Sequence, residues 1–426
     1  MPIDILSTAI FDGPESIPGW QYFRTYAPYV AAAGAIKYYF GGASSNFDRE
    51  LHGRVFILTG GTSGLGAQVA YELASRGAQL VLLCRQTDDP WTIDFIEDLR
   101  TKTNNFMIYA ESCDLASLHS VRLFATRWLD NQPPRRLDGV VCCAADCLPR
   151  GKVRQATVDG VERQTGVNYL AHCHLLTLLQ PALHVQPPDR DIRVVVVTCA
   201  SQAVGELDVT DLTWSRRAYP STRPWTVFGA SKLMLGMFAR SFQRELCRYE
   251  RKDKAPCNIK VSIVNPGIMR TPSTRRFLSM GTIWGLVLYV LLFPIWFLFL
   301  KDARQGAQSV LWALFSPVLG AQDGGNLVQE CKILTRGRKE YWDYDLQDEL
   351  AAETQKAIEQ LERQSAVERK RAGKSDKKVS EADLRDKPTS QEDLERKLEA
   401  MRSAMAPMGT GRASLFEPAR RREKKA

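Results

Sequence analysis

Glycines recur through 59-TGGTSGLG-66, directly after an apolar run and directly before a helical one. That placement suits a phosphate-binding loop. Gly60 permits a sharp turn, while Gly64 and Gly66 let the backbone and a helix N-terminus approach a pyrophosphate, whose charge the helix dipole favours. Thr62, Ser63 and Leu65 complete the loop as cofactor-contacting positions. A tight turn without a ligand is the competing account, and the strand-turn-helix setting argues against it. Arg85 ends the next apolar run, where an NAD-preferring site would often carry an acid. A guanidinium there can pair with a 2′-phosphate, which favours NADP(H) over NAD(H). Asp114 and Leu115 follow a shorter strand-like stretch, at a place where the carboxylate could meet the adenine edge.

The ten cysteines have no zinc-like spacing, and several sit in apolar runs such as Val140-Val141-Cys142-Cys143. This is the usage of core packing in a reducing compartment. Cys142, Cys143, Cys147 and Cys199 could gather at strand ends, but a metal or redox centre is the weaker reading and no metal is expected.

The elements that would position these residues alternate from residue 54 onward. RVFILTG (54–60), AQLVLLCR (78–85), LDGVVCCAAD (137–146), IRVVVVTCAS (192–201) and NIKVSIVNPG (258–267) are apolar along their whole length, and helical stretches such as GAQVAYELASRG separate them. Strands of that kind belong to a parallel sheet covered on both faces. The expected fold is α/β, a doubly wound Rossmann-type sheet with helices on both faces. A chain of 426 residues, 44% hydrophobic and 25% charged, suits one large domain with appendages. The domain is expected over 46–345, after an amphipathic membrane-interface segment at 1–45 and before a charged, partly helical tail at 346–426.

Within the first segment, WQYFRTYAPYVAAAGAIKYYFGG (20–42) is aromatic-rich but carries Arg24 and Lys37. An interfacial helix starting near Pro28 fits it better than a crossing. The first fifteen residues hold Asp4, Asp12 and Glu15 and no basic residue, so no secretory signal is expected. In the tail, LQDELAAETQKAIEQLERQSAVERKRAG (346–373) has helical spacing, QEDLERKLEAMRSAM (391–405) a second short one, and neither sustains a heptad. The net charge of +9 owes much to late runs such as Arg369-Lys370-Arg371 and Arg420-Arg421-Arg422. These read as a solvated tail able to recruit a protein partner. No aromatic interleaving accompanies them, so nucleic acid is not an expected partner.

Taken in order, YYFGG, TGGTSGLG, VLLCR, CDLASLHSVR, LDGVVCCAAD, ATVDGVERQTGVNYLAHCHLL, VVVVTCAS, FGASKL, NPGIMRTP and DARQGAQSVLWALFSP resemble the short-chain dehydrogenase/reductase superfamily, specifically its membrane-associated retinol dehydrogenase-like branch. The likeness spans about residues 38 to 335. It implies hydride transfer between a nicotinamide and a carbonyl or alcohol carbon, with a tyrosine as acid, a lysine lowering its pKa, a serine holding the substrate oxygen and an asparagine ordering water. Lys232 then matches the lysine and Asn168 the asparagine. Pro266, Gly267 and Thr271 match the segment that holds the carboxamide. Phe228 stands at the tyrosine position and Cys199 at the serine position, with Ser201 available only if the loop is shifted. Cys142-Cys143-Ala144-Ala145 replaces the usual Asn-Asn-Ala-Gly, which sets Ala144 among the cofactor contacts and a methyl at Ala145 beside the ribose. Tyr169 and Tyr219 are the spare phenols nearby, and neither has the spacing to reach Lys232.

GTIWGLVLYVLLFPIWFLFL (281–300) carries no charge and is long enough to span a bilayer. A single crossing would put the last helix and strand on the wrong side, so a monotopic hairpin broken near Pro294 is expected. These features together imply a membrane-associated, NADP-dependent oxidoreductase acting on a hydrophobic, lipidic carbonyl or alcohol. The alternative is a catalytically degenerate nucleotide-binding scaffold. Endoplasmic reticulum or lipid droplet fits better than mitochondrion.

Overall fold

β-branched residues packed on both faces drive the central sheet. The apolar runs become β1 (Val55–Thr59), β2 (Gln79–Cys84), β3 (Ile108–Ser112), β4 (Gly139–Cys142), β5 (Ile192–Val197) and β6 (Ile259–Asn265). β7 (Asn326–Gln329) and β8 (Lys332–Leu334) complete it. The computed structural model describes Phe11, Glu15 and residues 19–385, with backbone alone over 372–385. Strand order is 3-2-1-4-5-6-7-8, and every pair is parallel except β7 with β8. The order reverses between β1 and β4, where a doubly wound sheet opens a crevice at its C-terminal edge. β7 and β8 escape sequence reading because they are short and half polar.

Helices cover both faces. They are α1 (Trp20–Gly41), α2 (Gly64–Ser75), α3 (Pro90–Thr103), α4 (Leu118–Leu129), α5 (Ala171–His184), α6 (Pro224–Arg248), α7 (Pro272–Leu278), α8 (Ile283–Leu291), α9 (Phe293–Phe299), α10 (Ala303–Phe315) and α11 (Tyr344–Arg385). The period of two along β1 divides the core. Ile57 joins Phe124, Leu176, Leu233 and Phe242 on one face, while Phe56 and Leu58 join Val69, Leu73 and Val310 on the other.

Three expectations change. The helix expected to start near Pro28 starts at Trp20 and runs through that proline. Proline there removes only one amide donor, and the helix is exposed along most of its length, so the freed carbonyl need not be buried. The domain does not stop at 345. Leu350 and Ile358 of α11 are buried in the core, Thr354 accepts or donates a 2.5 Å bond to Tyr169, and the compact unit runs to Ser365. Charge on the outward residues of α11 hides an apolar stripe that faces inward. The second tail helix (391–405) and the basic run at 420–422 lie outside the described residues, as does most of 1–18.

The apolar segment is two short helices, α8 and α9, joined at Leu292, with Pro294 in the first turn of α9. Its two ends meet again at a parallel bridge between Met269 and Lys301, closed by Arg270 N–H to Lys301 O at 2.8 Å. Among the described residues no helix is long and apolar enough to cross a membrane.

Candidate active site

The glycine loop sits where β1 hands the chain to α2. Gly60 and Gly64 have φ of +66° and +55°, in the left-handed region that a side chain disfavours. A Cβ on Gly60 would come within 2.7 Å of Ala144 Cα, so the loop and the end of β4 are in backbone contact. A Cβ on Gly66 would overlap the Gly60 carbonyl. These are the close approaches a pyrophosphate cradle needs, with the N-terminus of α2 directly behind. Thr62 is half-buried, Ser63 exposed, Leu65 buried. Thr271, which caps α7, lies 3.4 Å from where a Gly64 side chain would begin. The segment after β6, with Pro266 buried and Gly267 at φ +83°, therefore closes over the same loop.

A hydrogen-bond chain ties β1, β4 and α5 together. Ala144 N–H donates to Thr59 Oγ at 3.1 Å, and Thr59 Oγ is 3.0 Å from His172 Nε2. His172 Nδ1 is 3.1 Å from the Asn168 carbonyl, which can only accept, so Nδ1 carries the proton and Thr59 donates to Nε2. Burial, reinforced by the Lys232 ammonium, lowers the His172 pKa to about 3, and the ring stays neutral.

Asn168 lies in a π turn (Gly166–Leu170), a local break in helical register of a kind frequent at functional sites. Buried Glu162 caps the turn before it, accepting from Gln164 N and Thr165 N at 3.0 and 2.8 Å. Asn168 Nδ2 donates to Asp146 O and to Ser231 Oγ, and its Oδ1 accepts from Asp146 N at 2.7 Å. Lys232 is buried and donates to Val197 O at 3.1 Å. Burial lowers its pKa, and the thiols of Cys199, Cys143 and Cys142 act the other way. Cys199 and Ser201, in the loop after β5, meet at 2.6 Å between Sγ and Oγ. Burial also raises the Cys143 and Cys147 thiols to about 12, which keeps them protonated. No group of His, Cys, Asp or Glu among the described residues is placed to hold a metal ion.

Just past the end of β2, Arg85 is exposed and has no carboxylate partner among the described residues. Asp114 Oδ1 accepts from Ala116 N at 2.9 Å, and Leu115 packs on the core.

The KR domain family matches residues 54–205. An uncharacterized oxidoreductase of Saccharomyces cerevisiae is 42% identical over 388 residues, which is 87% of this chain and 95% of that protein. The polyprenol dehydrogenase of Mus musculus is 32% identical over 71% of this chain and 82% of its own length. The chain belongs to the short-chain dehydrogenase/reductase family. Within this short-chain dehydrogenase/reductase family the retinol dehydrogenase-like branch accounts for further relatives. Human retinol dehydrogenase 13 is 29% identical, over 66% of this chain and 77% of its own. The crystal structure of an uncharacterized protein from Mycobacterium paratuberculosis shares the fold at 24% identity, with a TM-score of 0.53 over 75% of this chain and 98% of that one.

For a short-chain dehydrogenase/reductase the remaining geometry is informative. Phe228 lies one helical turn before Lys232 on α6, with its ring half-buried and its carbonyl accepting from Ser231 Oγ at 2.8 Å. Of the spare phenols, Tyr169 is locked to Thr354, and Tyr219 accepts from Gln164 Nε2 at 2.9 Å. A third phenol escapes sequence reading. Tyr341 donates to Gln202 at 2.7 Å and fills the space beside Gly236, one turn beyond Lys232. Thr59, His172 and Ser231 are likewise supporting residues whose hydrogen-bond partners the sequence does not reveal, since Thr59 meets His172 and Ser231 meets Asn168 across the fold.

Proposed function

We propose that this short-chain oxidoreductase uses NADP(H) to interconvert a hydrophobic carbonyl and alcohol at a membrane surface. One observation carries the reading. The left-handed glycine loop is pressed onto Ala144, whose amide is tied through Thr59 and His172 to the Asn168 carbonyl. A side chain at Gly60 or Gly66 would fill the space a pyrophosphate needs, so the residues present fit the group. Gly60, Thr62, Ser63, Gly64, Leu65 and Gly66 would hold the phosphates, Arg85 the 2′-phosphate, Asp114 and Leu115 the adenine, and Pro266, Gly267 and Thr271 the carboxamide.

When bound, a nicotinamide supplies or accepts the hydride. The chain's own work is to fix the substrate and manage the proton. Ser201 and Cys199 present a hydroxyl and a thiol to the substrate oxygen. The Lys232 ammonium, buried in the protein, stabilises negative charge on that oxygen. Phe228 has no proton to give, so a water between Lys232 and Asn168 takes the part of the phenol in this reading. Losing a positioned acid forfeits about 10²- to 10⁴-fold in rate, and a slow enzyme is the expectation.

The apolar surface of α8 and α9 beside α7 supports a lipidic substrate and a membrane seat, with the chemistry facing a reducing compartment such as the cytosolic side of the endoplasmic reticulum or a lipid droplet. The charged tail would recruit a protein partner. Phe228 favours a second reading, a nucleotide-holding scaffold without turnover. Titration of NADPH into the purified protein, paired with turnover on a panel of lipid aldehydes and ketones, separates them. Binding with measurable turnover is expected. Binding without turnover in the wild type, but with turnover in Phe228→Tyr, would establish the scaffold; absence of binding to either dinucleotide would overturn both.

A further inference from the structure

Two segments far apart in sequence converge on one exposed apolar plate. α8 and α9 leave Ile283 and Trp284 81% and 83% exposed, with Leu288, Val290, Leu291, Phe293 and Phe297 open beside them. α1 joins them through its C-terminal end. Phe40 packs edge-on against Phe299 with centroids 5.1 Å apart, and Lys37 Nζ donates to Leu300 O at 3.0 Å. Along α1, Tyr22, Tyr29, Tyr38 and Tyr39 are each at least 72% exposed. Tyrosine and tryptophan combine an apolar ring with a polar tip, which suits the headgroup level of a bilayer better than bulk water. α8 rises only about 14 Å and cannot cross a hydrocarbon core of about 30 Å, so the plate can only be seated from one side.

Charge selects the kind of bilayer. Lys37 and Arg270 share the Phe297 ring, each 5.1 Å from its centroid, and Arg270 also covers Phe293 at 5.6 Å. Neither cation has a carboxylate within ion-pair distance among the described residues. The nearby acids are committed, Glu330 to Lys301 and Asp302 to the cap of α10. Arg270 Nε is buried and has no hydrogen-bond acceptor among the described residues. Two cations held side by side at an apolar plate, without a direct ion pair among the described residues, are complementary to a lipid phosphate.

We propose that α1, α8 and α9 dock on an anionic phospholipid bilayer, with Lys37 and Arg270 gripping the headgroup phosphate. This rests on the membrane seat proposed above and adds its polarity. The plate adjoins α7, so docking would bring the mouth of the active-site crevice to the lipid surface.

Flotation of the full chain with phosphatidylcholine vesicles, with and without phosphatidylserine, tests it. The wild type should float with both and partition more strongly to the anionic ones. Lys37→Gln/Arg270→Gln should lose about thirtyfold on anionic vesicles, from the roughly fivefold that each basic residue contributes, and match wild type on neutral ones. Lys37→Arg/Arg270→Lys should retain the preference. The basic residues of the tail are common to all these proteins, so they cancel in the comparison. If the double Gln variant keeps its anionic preference, the headgroup assignment is wrong while the seat stands. If inorganic phosphate at matched ionic strength removes the preference, the pair is a site for soluble anions and the proposal fails. If Ile283→Glu/Trp284→Glu still floats with neutral vesicles, the membrane seat itself is wrong.

Discussion

Lys232 carries its ammonium into a buried setting of carbonyl and thiol groups, and that placement governs what the site can do. Its charge costs desolvation and has no carboxylate partner among the described residues, so in the proposed reaction it is the group that meets a developing oxyanion or a ribose hydroxyl. Replacing it with methionine keeps the volume and removes the charge. Lys232→Met should lower turnover by about 10²-fold or more while thermal unfolding stays near wild type, because no folded-state ion pair is lost. Steady-state rates beside a melting curve check this. Gly60 offers the converse test. At φ +66° and 2.7 Å from Ala144, a β-branched side chain meets both strain and overlap. Gly60→Val should abolish NADPH binding in a titration and destabilise the fold by about 1–3 kcal/mol.

Among the elements, α11 changes most between sequence and structure. Its inward stripe, Leu350, Thr354 and Ile358, completes the core over α4 and α5. Leu350→Ala and Ile358→Ala should each cost about 2–5 kcal/mol in chemical denaturation, a size reserved for true core positions. The same helix carries a pH-dependent contact. Burial would raise the Glu362 pKa, but His174, 3.2 Å away, and the Arg122 guanidinium more than offset it and hold the carboxyl at about 2. A depressed folded-state pKa gives stability that is present above the ordinary carboxylate value of 4.5 and is lost as pH falls toward 2. The pair is partly solvated, so the stake is about 1–2 kcal/mol after screening. Unfolding midpoints measured between pH 5 and pH 2.5 should fall more steeply in the wild type than in Glu362→Gln.

At the scale of the molecule, the hairpin α8–α9 leaves and rejoins the domain at one point, the isolated Met269–Lys301 bridge. Its flanks at Arg276 and Arg304 must then lie on the same side of any bilayer the plate meets. Trypsin added outside sealed vesicles carrying the full chain should cleave at both or at neither. Cleavage at one alone would show a crossing that this topology forbids.

The sequence alone determined the repeating elements, because fully apolar β-branched runs have no other stable use, and it determined the turn of the glycine loop, because only glycine tolerates that path. The candidate positions Lys232 and Asn168 were legible through family pattern rather than through spacing. Tertiary structure decided the rest. It alone brought Cys199 to Ser201 and Thr59 to His172, folded a charged tail segment onto the core, and gathered Lys37 and Arg270 on one ring. Each of these joins residues far apart along the chain or across a loop, where packing geometry and burial choose the partners and local propensity carries no signal.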